Sequence, residues 1–504
     1  MKRSIELMAV ATVVLVFGFA TSLLAQESGS GSSLGHSEGG LSSPEVGHIP
    51  SAQGTLVIPK SSQPQPVPKG HKFVAHTNIE FYIPAGVRRE EMPPFPDSGY
   101  ETPASLGCVY GLSTIKAGCN PNNSALTNPK GGSNTIAIVD AYDDPDAPND
   151  LAGFSVQFGL PLTLTQFQVV WANTAASSCA DVGVPQDPSG GWELEESLDI
   201  EWSHAMAPSA QIYLVEACSD YDTDLAQAVL VANNLVNCGQ TGFTYGGTLD
   251  TTVCQTAGPS ETPLYNPGEI SMSWGGGEYY CENGVNCADY CTYYVDDPCF
   301  TATNVVYFAS SGDSPGAIYP SVSPNVVSAG GLTNRRNPIS SPPYNFVQNA
   351  GWVDGGGGPS LCEPEPDYQS SITLSACYSM NYCTLSTEWM RCTPDVSFDA
   401  DPYTGVYVLD TFPIYGYEYE WWVVGGTSVS SPSLAGIINN AATRRGSWAG
   451  STDAELNYIY GNMTNTSEFT DVTNAYCGPD MMFLALVGYD LCSGIGAVLG
   501  YVGK

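Results

Sequence analysis

Positive charge is scarce in this chain of 504 residues. It contains 15 Lys and Arg against 51 Asp and Glu, which gives a formal net charge of -36 at neutral pH. Between Gly131 and Gly503 the only cations are five arginines, and they are spread along the sequence. Because nucleic-acid binding depends on clustered Lys and Arg that contact phosphates, this composition argues against a nucleic-acid-binding protein.

Histidine is equally scarce. Of the five histidines, His36, His48, His71 and His76 lie near the N-terminus, in segments with little capacity to form a core. His204 is the only one in the remainder of the sequence. Any mechanism that depends on histidine therefore has a single candidate.

Long hydrophobic runs are missing except at the N-terminus. An apolar stretch over residues 8–24 follows Lys2 and Arg3 and ends at the small residue Ala25. This pattern predicts a secretory signal peptide over residues 1–25, with an N-terminal membrane anchor as the alternative. No later stretch approaches the roughly 20 apolar residues that a spanning helix needs. We therefore expect a secreted protein with no membrane span after signal removal.

The 16 cysteines include no C-x-x-C pair, which is the usual spacing of structural zinc ligands. Their even number allows complete pairing, and an exported chain meets an oxidising compartment. We expect disulfides rather than zinc sites, with a connectivity that the spacing leaves open.

The composition divides the rest of the chain into three parts. Residues 26–71 are rich in Gly, Ser, Pro and Gln, which predicts a disordered linker. Residues 72–102 regain some apolar content but are too short to form their own core, so we expect an N-terminal arm that packs on the main body. Residues 103–504 form the main domain.

Within that domain, continuous apolar runs alternate with helical patterns. Buried strands are predicted near residues 135–139, 211–215, 270–274 and 305–310, and helices are predicted over residues 193–206 and 432–445. Such alternation predicts an α/β domain with a mostly parallel sheet flanked by helices. Active sites in such domains lie at the carboxyl ends of the strands.

Ser428 is the candidate nucleophile. It lies in the sequence GGTSVSSP, which predicts a Gly-rich turn leading into a helix that Pro432 begins. A hydroxyl exposed beside the positive end of a helix is favoured for attack on a carbonyl. An ordinary Gly-Ser turn before a helix is the alternative interpretation.

Two sets of residues compete to activate this serine. Asp140, His204 and Ser428 occur in the order of a subtilisin-type triad. Alternatively, Glu195 and Asp199 in ELEESLD are separated by about 40° on a helix and share one face, from which His204 points away. A solvated acidic helix face would explain the same run without function. The carboxylate Asp313, directly after a predicted strand in FASSGDS, favours the carboxylate interpretation.

Six motifs resemble those of the sedolisins, or serine-carboxyl peptidases, and follow the order of that family. They are ESLDIEW with APSA, SMSWGGGE, ASSGDS, PDVSFDADP, GGTSVSSP, and a final DVT with GYDLCSGIG. The resemblance covers residues 103–504 and implies a subtilisin-like α/β domain that hydrolyses protein or peptide substrates. It implies Ser428 as nucleophile, Glu195 as general base, Asp199 as the residue that orients Glu195, and Asp313 as the oxyanion-hole donor. Asp313 donates a hydrogen bond only when protonated, which predicts activity in acid.

The same resemblance implies a Ca²⁺ site in the C-terminal segment. Its ligands would be the side chains of Asp471 and Asp490 and the carbonyl oxygens of Val472, Leu486 and Gly488. Oxygen ligands of this kind suit a hard cation. Two turn-forming aspartates are the alternative interpretation.

Two features depart from the family pattern. The family carries a long, folded N-terminal propeptide, whereas here only a linker and a short arm separate the signal peptide from the main domain. Gly426 stands where serine often precedes Thr-Ser. A secreted binding protein that keeps the fold but lacks activity is therefore the alternative function, and a His204-dependent enzyme is a third.

Overall fold

The computed structural model describes most of the chain between Gly47 and Tyr501. The described residues are 47–51, 53–86, 100–113, 119–173, 175, 177–179, 182–238, 267–278, 297–336, 346–382, 384–414, 420–445, 450–478 and 481–501. The predicted signal peptide, residues 1–25, lies outside them, as do residues 26–46 of the predicted linker.

Seven α-helices occur in this part of the chain. They are α1 (Pro103–Val109), α2 (Ser124–Thr127), α3 (Ala147–Phe158), α4 (Gly191–Met206), α5 (Asp222–Cys238), α6 (Thr427–Arg445) and α7 (Thr452–Gly461). The helix predicted over residues 193–206 is confirmed as α4. The helix predicted to begin at Pro432 is longer than expected, because α6 begins at Thr427 and Pro432 lies inside it.

The described strands are numbered in chain order. They are β1 (Gly47–Ser51), β2 (Gly54–Ile58), β3 (His76–Thr77), β4 (Glu80–Pro84), β5 (Thr135–Ala141), β6 (Phe167–Trp171), β7 (Gln211–Ala217), β8 (Gly268–Met272), β9 (Trp274–Gly277), β10 (Val305–Ser310), β11 (Ile318–Tyr319), β12 (Val327–Arg336), β13 (Phe346–Gly351), β14 (Gly358–Pro364), β15 (Tyr378–Asn381), β16 (Ser386–Thr393), β17 (Val396–Asp399), β18 (Val406–Leu409), β19 (Trp421–Gly425), β20 (Phe469–Thr470), β21 (Tyr476–Cys477), β22 (Phe483–Leu484) and β23 (Ala497–Val498).

A large, mostly parallel sheet forms the centre of the domain. Its order is β20-β23-β17-β12-β10-β8-β5-β7-β6, and β13 pairs with β12. All neighbouring pairs from β23 to β6 are parallel, whereas β20 and β13 are antiparallel to their partners. The predicted α/β class with a mostly parallel sheet is therefore confirmed.

Helices cover both faces of this sheet. On β5, Ile136 and Ile138 join the core that contains side chains of α3, α4 and α6. Ala137 and Val139, which point the other way, join a second core built on α5. Because successive side chains of a strand point to opposite faces, a strand covered on both faces is apolar throughout. This explains why the four predicted strands appear as continuous apolar runs.

The N-terminal part of the described chain forms a separate antiparallel sheet. Its order is β1-β2-β4-β19-β18. Strand β4 therefore lies between the N-terminal strand β2 and β19, the strand that precedes α6. Leu56 and Val57 of β2 are buried in the main core. The prediction of a disordered linker is therefore wrong over residues 47–51 and 54–58, which form strands whose pairing partners the composition does not reveal.

Four disulfides join cysteines in the described part of the chain. They are Cys108–Cys119, Cys179–Cys218, Cys377–Cys392 and Cys477–Cys492. No group of three or more His, Cys, Asp or Glu within the described ranges is placed to hold a metal ion. These cysteines thus form disulfides, as expected. None of the helices described above is both long and apolar enough to cross a membrane.

Candidate active site

The carboxylates of α4 are buried, although they lie in a strongly acidic run. Every residue of this helix from Gly191 to Met206 is buried, including Glu195 and Asp199. The helix packs beside α6 on the central sheet and also contacts α3 and β18, so it has no face in contact with solvent. The interpretation of this run as a solvated acidic face is therefore wrong.

Ser428 lies in the first turn of α6, directly after a sharp change in backbone direction. Gly426 has φ +108°, a left-handed conformation that favours glycine and turns β19 into the helix. The Ser428 hydroxyl donates to the carbonyl oxygen of Ser273 at 3.1 Å. Ser428 has no exposed surface, so the prediction of an exposed hydroxyl is wrong for the chain in this form.

Pro432 has a role inside α6 that its predicted position at the helix start did not indicate. Proline lacks an N–H, so it leaves the carbonyl oxygen of the residue four positions earlier without its helical partner. That residue is Ser428, and the Ser273 hydroxyl lies 3.4 Å from its carbonyl oxygen. The proline thus frees a backbone acceptor at the candidate nucleophile.

Ser273 connects the two predicted catalytic elements. Its hydroxyl lies 2.8 Å from Asp199 Oδ1 on α4, and its carbonyl oxygen accepts the hydrogen bond from Ser428 on α6. Ser273 is the residue between β8 and β9, at the carboxyl end of a central strand. Ser428 and Asp199 therefore both form hydrogen bonds with Ser273.

Glu195, Asp199 and Asp140 form a buried group of carboxyls. Burial, followed by the charges of Asp199 and Asp140, raises the pKa of Glu195 well above its usual value, and the nearby Ser428 side chain partly opposes this. Burial and then the charge of Asp140 raise the pKa of Asp199, while the hydrogen bond to Ser273 and the nearby Glu195 side chain oppose the rise. Close carboxyls in a low-dielectric site tend to share a proton rather than ionise together. These carboxyl groups can therefore share one proton and transfer it to a neighbouring group.

Asp313 follows β10 and contacts the start of α6. Its Oδ1 accepts hydrogen bonds from the backbone N–H and the hydroxyl of Thr427, at 2.7 and 2.8 Å. Its Oδ2 is buried and has no hydrogen-bond partner. Burial raises the pKa of Asp313 to about 8, with Asp354 adding to the rise and the Thr427 hydrogen bonds opposing it. Because Oδ1 already accepts two hydrogens, the proton belongs on Oδ2, where the carboxyl becomes a donor.

His204 is isolated from this arrangement. It is fully buried on α4, and neither ring nitrogen has a hydrogen-bond partner. Burial alone lowers its pKa to about 4, without an opposing effect of a nearby carboxylate. Asp140 and His204 therefore do not pair. A subtilisin-type triad needs such a pair to orient the imidazole and to stabilise its positive charge.

The predicted calcium loops converge in the structure. The backbone N–H of Gly488 donates to Asp471 Oδ2 at 3.0 Å, and that of Leu486 donates to Asp490 Oδ2 at 2.9 Å. Asp490 is buried, and burial raises its pKa to about 6. Val472 is buried beside Asp471, whereas Leu486 is half exposed. These hydrogen bonds bring Asp471 to Gly488 and Asp490 to Leu486, and the calcium site itself stays a prediction.

Two residues of the N-terminal arm reach the site, and sequence patterns did not identify either. The backbone N–H of Ser428 donates to the carbonyl oxygen of Asn78 at 3.2 Å. Glu80 lies close to Asp313; burial and then the charge of Asp313 raise the pKa of Glu80 to about 9. An isolated carboxylate after an apolar residue gives no sign of such a contact, because it depends on strand pairing between distant parts of the chain.

Comparison with known proteins supports the fold. No protein-family model matches the chain. A search of curated proteins also gave no match. Among solved structures, Pseudomonas sedolisin, a serine-carboxyl proteinase complexed with pseudo-iodotyrostatin, is 21% identical, with 79% of this chain and 95% of that chain covered and a TM-score of 0.54.

Two further proteases give weaker similarity. A psychrophilic protease named S41 is 17% identical over 78% of this chain and 97% of its own, with a TM-score of 0.40. Sphericase is 15% identical over the same shares, with a TM-score of 0.39. The similarity to sedolisin shows that the chain has this fold, as its six motifs implied.

Proposed function

We propose that this chain is a secreted, acid-active serine-carboxyl peptidase that hydrolyses protein or peptide substrates. One observation carries the proposal: the backbone N–H of Ser428 and the carboxyl of Asp313 border the same small space. A Cβ atom added to Gly426 would lie 2.0 Å from the Asn78 carbonyl oxygen, which Ser428 binds, and 2.7 Å from Asp313 Oδ2. A backbone N–H and a protonated carboxyl that border one small space next to a serine are the elements of an oxyanion hole.

In this mechanism the Ser428 hydroxyl attacks the substrate carbonyl. Glu195 takes the hydroxyl proton and then gives it to the leaving amine, while Asp199 orients Glu195. Protonated Asp313 donates to the oxyanion, a role that its raised pKa of about 8 supports. Water then hydrolyses the acyl group from Ser428 by the reverse sequence of proton transfers.

Activity in acid follows from two requirements. Asp313 must be protonated, and the Glu195–Asp199 pair must have lost one of its two protons to act as a base. Burial is the largest cause of the raised pKa of Glu195. Ser428 and Glu195 have no exposed surface, so substrate binding requires that the site open to solvent. Water that then enters the site reduces the effect of burial, and the pair ionises at a lower pH than it does when buried.

The proposal includes one Ca²⁺ ion, held by Asp471 and Asp490 and the carbonyl oxygens of Val472, Leu486 and Gly488. Asp490 is a buried carboxylate, and a divalent cation would stabilise its charge. The bound ion would fix the C-terminal loops and take no part in the chemistry. Four disulfides in the described part of the chain support the proposal of export to an oxidising compartment.

Hydrolysis of a denatured protein tests the catalytic assignment. Purified protein is assayed from about pH 2 to about pH 8 after incubation in acid, beside Ser428→Ala and Glu195→Gln. We expect activity in acid, with each variant reduced by about 10⁴-fold or more, as for removal of a nucleophile or its base. A neutral optimum that survives Glu195→Gln would contradict the assignment, and inactivity of correctly folded protein at every pH would favour the non-catalytic binding protein.

A further inference from the structure

A short hairpin near the C-terminus has one buried face and one exposed face. It is formed by β21 and β22, in which Tyr476 pairs with Leu484 and Cys477 with Phe483. Cys477 is buried and bonded to Cys492, and Phe483 packs against a small buried core. Because cross-strand partners lie on the same face of a hairpin, Tyr476 and Leu484 both point outward.

The outward face of this hairpin is apolar, although it is in contact with solvent. Tyr476 is 37% exposed and Leu484 is 50% exposed. Met482 alternates with the inward-facing Phe483 and is 56% exposed. The solvated face of an antiparallel pair is normally polar, and a cluster of exposed apolar side chains marks an interaction site in a soluble protein. We call Tyr476, Met482 and Leu484 the apolar face.

Backbone contacts hold the apolar face in a fixed position. The N–H of Gly351 donates to the carbonyl oxygen of Asn474 at 3.0 Å, and the N–H of Gly478 donates to that of Val353 at 2.6 Å. One loop therefore holds both ends of β21, and the disulfide within the hairpin adds a covalent link. A surface that is already ordered loses little conformational entropy when a ligand binds.

Gly478 places the apolar face beside the loop that carries Asp313. A Cβ atom added to Gly478 would lie 2.5 Å from Pro315 Cγ and 3.0 Å from Met482 Cβ. Pro315 is two residues after Asp313, the proposed oxyanion-hole donor. Met482 therefore lies beside Pro315, and the apolar face borders the Asp313 loop.

A second connection reaches the same side of the candidate active site. Val353 is 43% exposed and is followed by Asp354. Asp354 lies close enough to Asp313 for its charge to raise the pKa of that carboxyl. The N–H of Gly356 then donates to the carbonyl oxygen of Gly312 at 2.7 Å, directly before Asp313. The apolar face and Val353 thus form an exposed surface that continues from the Asp354 side of the site.

This surface suits an extended apolar segment of an unfolded polypeptide better than it suits a membrane or a second folded chain. Apolar segments that bind membrane surfaces commonly carry Lys or Arg beside them, and residues 446–503 contain neither. Standard interfaces between folded proteins involve about 20–30 residues on each side, far more than these few side chains. A polypeptide bound at the site passes beside Asp313, so its flanking residues reach this surface without a further association step.

We propose that the apolar face, together with Val353, binds apolar side chains of an unfolded polypeptide substrate close to the bond that is cleaved. This inference rests on the proposed peptidase function and specifies its substrates as unfolded proteins rich in apolar residues. The flexible thioether of Met482 allows different apolar side chains to bind. Since the surface acts in binding and not in the chemistry, removing its apolar groups should raise KM for such substrates and leave kcat unchanged.

Peptides that differ only in flanking sequence test this inference. All contain the same cleaved bond, and a short flanking run consists either of Leu and Phe or of Ser and Thr. In one pair of peptides this run precedes the bond, and in a second pair it follows the bond. For the natural chain in acid we expect KM to be at least about tenfold lower for the apolar member of one pair. In the double variant Met482→Ser with Leu484→Ser, this difference in KM should disappear while kcat is unchanged.

A matched control variant removes two exposed apolar side chains elsewhere. Val156 on α3 is 84% exposed, and Leu164, in the loop before β6, is fully exposed. Strand β6 lies at the opposite edge of the central sheet from β23. Val156→Ser with Leu164→Ser should keep the difference in KM between the two peptides. Melting temperatures of all proteins show whether each variant is folded.

Binding is measured separately in the Ser428→Ala chain with a fluorescently labelled apolar peptide. Adding Met482→Ser and Leu484→Ser should raise the dissociation constant, measured by fluorescence anisotropy, by about tenfold. Equal KM ratios in the natural chain and in the hairpin variant would overturn the inference while leaving the peptidase function in place. Self-association, or sedimentation with phosphatidylcholine vesicles, that only the hairpin variant loses would also overturn it. If folded protein hydrolyses none of the peptides, the proposed function fails, and the inference about its substrates fails with it.

Discussion

Thr427 donates two hydrogen bonds to a single oxygen of Asp313. Its backbone N–H and its hydroxyl both reach Oδ1, at 2.7 and 2.8 Å, while Oδ2 has no partner. This asymmetry fixes the carboxyl orientation and identifies the oxygen that carries the proton. It also allows the carboxyl to be replaced by an amide without loss of its anchoring hydrogen bonds.

Asp313→Asn should change the pH dependence of the proposed activity more than it changes the maximal rate. The amide oxygen accepts both Thr427 hydrogen bonds, and the amide nitrogen donates toward the oxyanion at every pH. Burial raises the pKa of Asp313, and in the natural chain the donor is lost as the pH rises through that pKa. Initial rates on the alkaline side of the acid optimum should therefore decline more steeply in the natural chain than in Asp313→Asn. Asp313→Ala, which has no donor, should lose about 100- to 1000-fold in kcat at all pH values.

Folding must be monitored in the same samples, because loss of structure above neutral pH would also lower the rate. Circular dichroism of each protein at each pH provides this control. An alkaline decline that is identical in Asp313→Asn and in the natural chain, with both still folded, would contradict the role of Asp313 as a proton-dependent donor.

The stability of the fold should decrease as the pH rises from acid. Glu196 has no exposed surface, and neither of its oxygens has a hydrogen-bond partner. Burial, and then the charges of Glu216, Asp144, Asp140 and Glu193, raise its pKa well above the usual value. A carboxyl of this kind is neutral in both states below about pH 4, but at higher pH it ionises more readily in the unfolded chain. Its contribution to stability is therefore present in acid and is lost as the pH rises toward the pKa in the folded protein.

Glu196→Gln tests this effect at one position. The amide keeps the shape of the side chain but does not ionise, so the free energy of unfolding should decrease less steeply with pH. The slope should change by up to about 1.4 kcal/mol per pH unit, the value for one proton. Denaturant unfolding at several pH values between about 4 and 8 measures it, with Asp367→Asn at an exposed position as the control. Parallel curves for Glu196→Gln and the natural chain would contradict the prediction.

Local geometry explains which parts of this molecule the sequence predicts. Glu195 and Asp199 share a helix face because helical spacing fixes their angle, whatever the rest of the chain does. The apolar run of β5 predicts a strand covered on both faces for a similar reason. The start of α6 was misplaced because proline is usual in the first turn, whereas here Pro432 lies inside the helix and frees the carbonyl oxygen of Ser428.

The contacts made by the N-terminal arm could not be predicted in this way. Asn78 contacts Ser428 only because β3 pairs with β9 and β4 pairs with β19, and neither pairing leaves a pattern in residues 71–84. Leu56 and Val57 were assigned to a linker for the same reason. Composition measures how much apolar surface a segment carries, but the position where that surface is buried depends on a distant partner.

Removal of calcium should lower the melting temperature of the folded protein. Asp471 accepts a hydrogen bond from Gly488, so an ion held there would connect the loop after β20 to the loop before Asp490. A ligand that binds only the folded state stabilises it by about 4 kcal/mol when present at a thousand times its dissociation constant. Calorimetry with and without chelator should therefore show that the melting temperature decreases by several degrees and is restored by Ca²⁺.

Asp471→Asn should lower the melting temperature and abolish its dependence on Ca²⁺, whereas Asp367→Asn should keep that dependence. An unchanged melting temperature in chelator would contradict the calcium site.

Replacing one partner of the buried ion pair between Arg391 and Asp395 should strongly lower the free energy of unfolding. Arg391 Nη1 and Nη2 donate to the two Asp395 oxygens at 3.0 and 2.8 Å, and neither residue is exposed. Arg391 also donates to two backbone carbonyl oxygens, and Tyr460 donates to Asp395 Oδ1 at 2.6 Å.

Arg391→Met leaves a buried carboxylate without its cation, so the free energy of unfolding should decrease by about 3–5 kcal/mol. Asp395→Leu should cost a similar amount, because it leaves the guanidinium unpaired. The double variant should recover part of the loss, since replacing both charges by apolar groups removes the unpaired charge that makes each single variant costly. Denaturant unfolding of all four proteins gives the coupling energy, and single variants within about 1 kcal/mol of the natural chain would contradict this prediction.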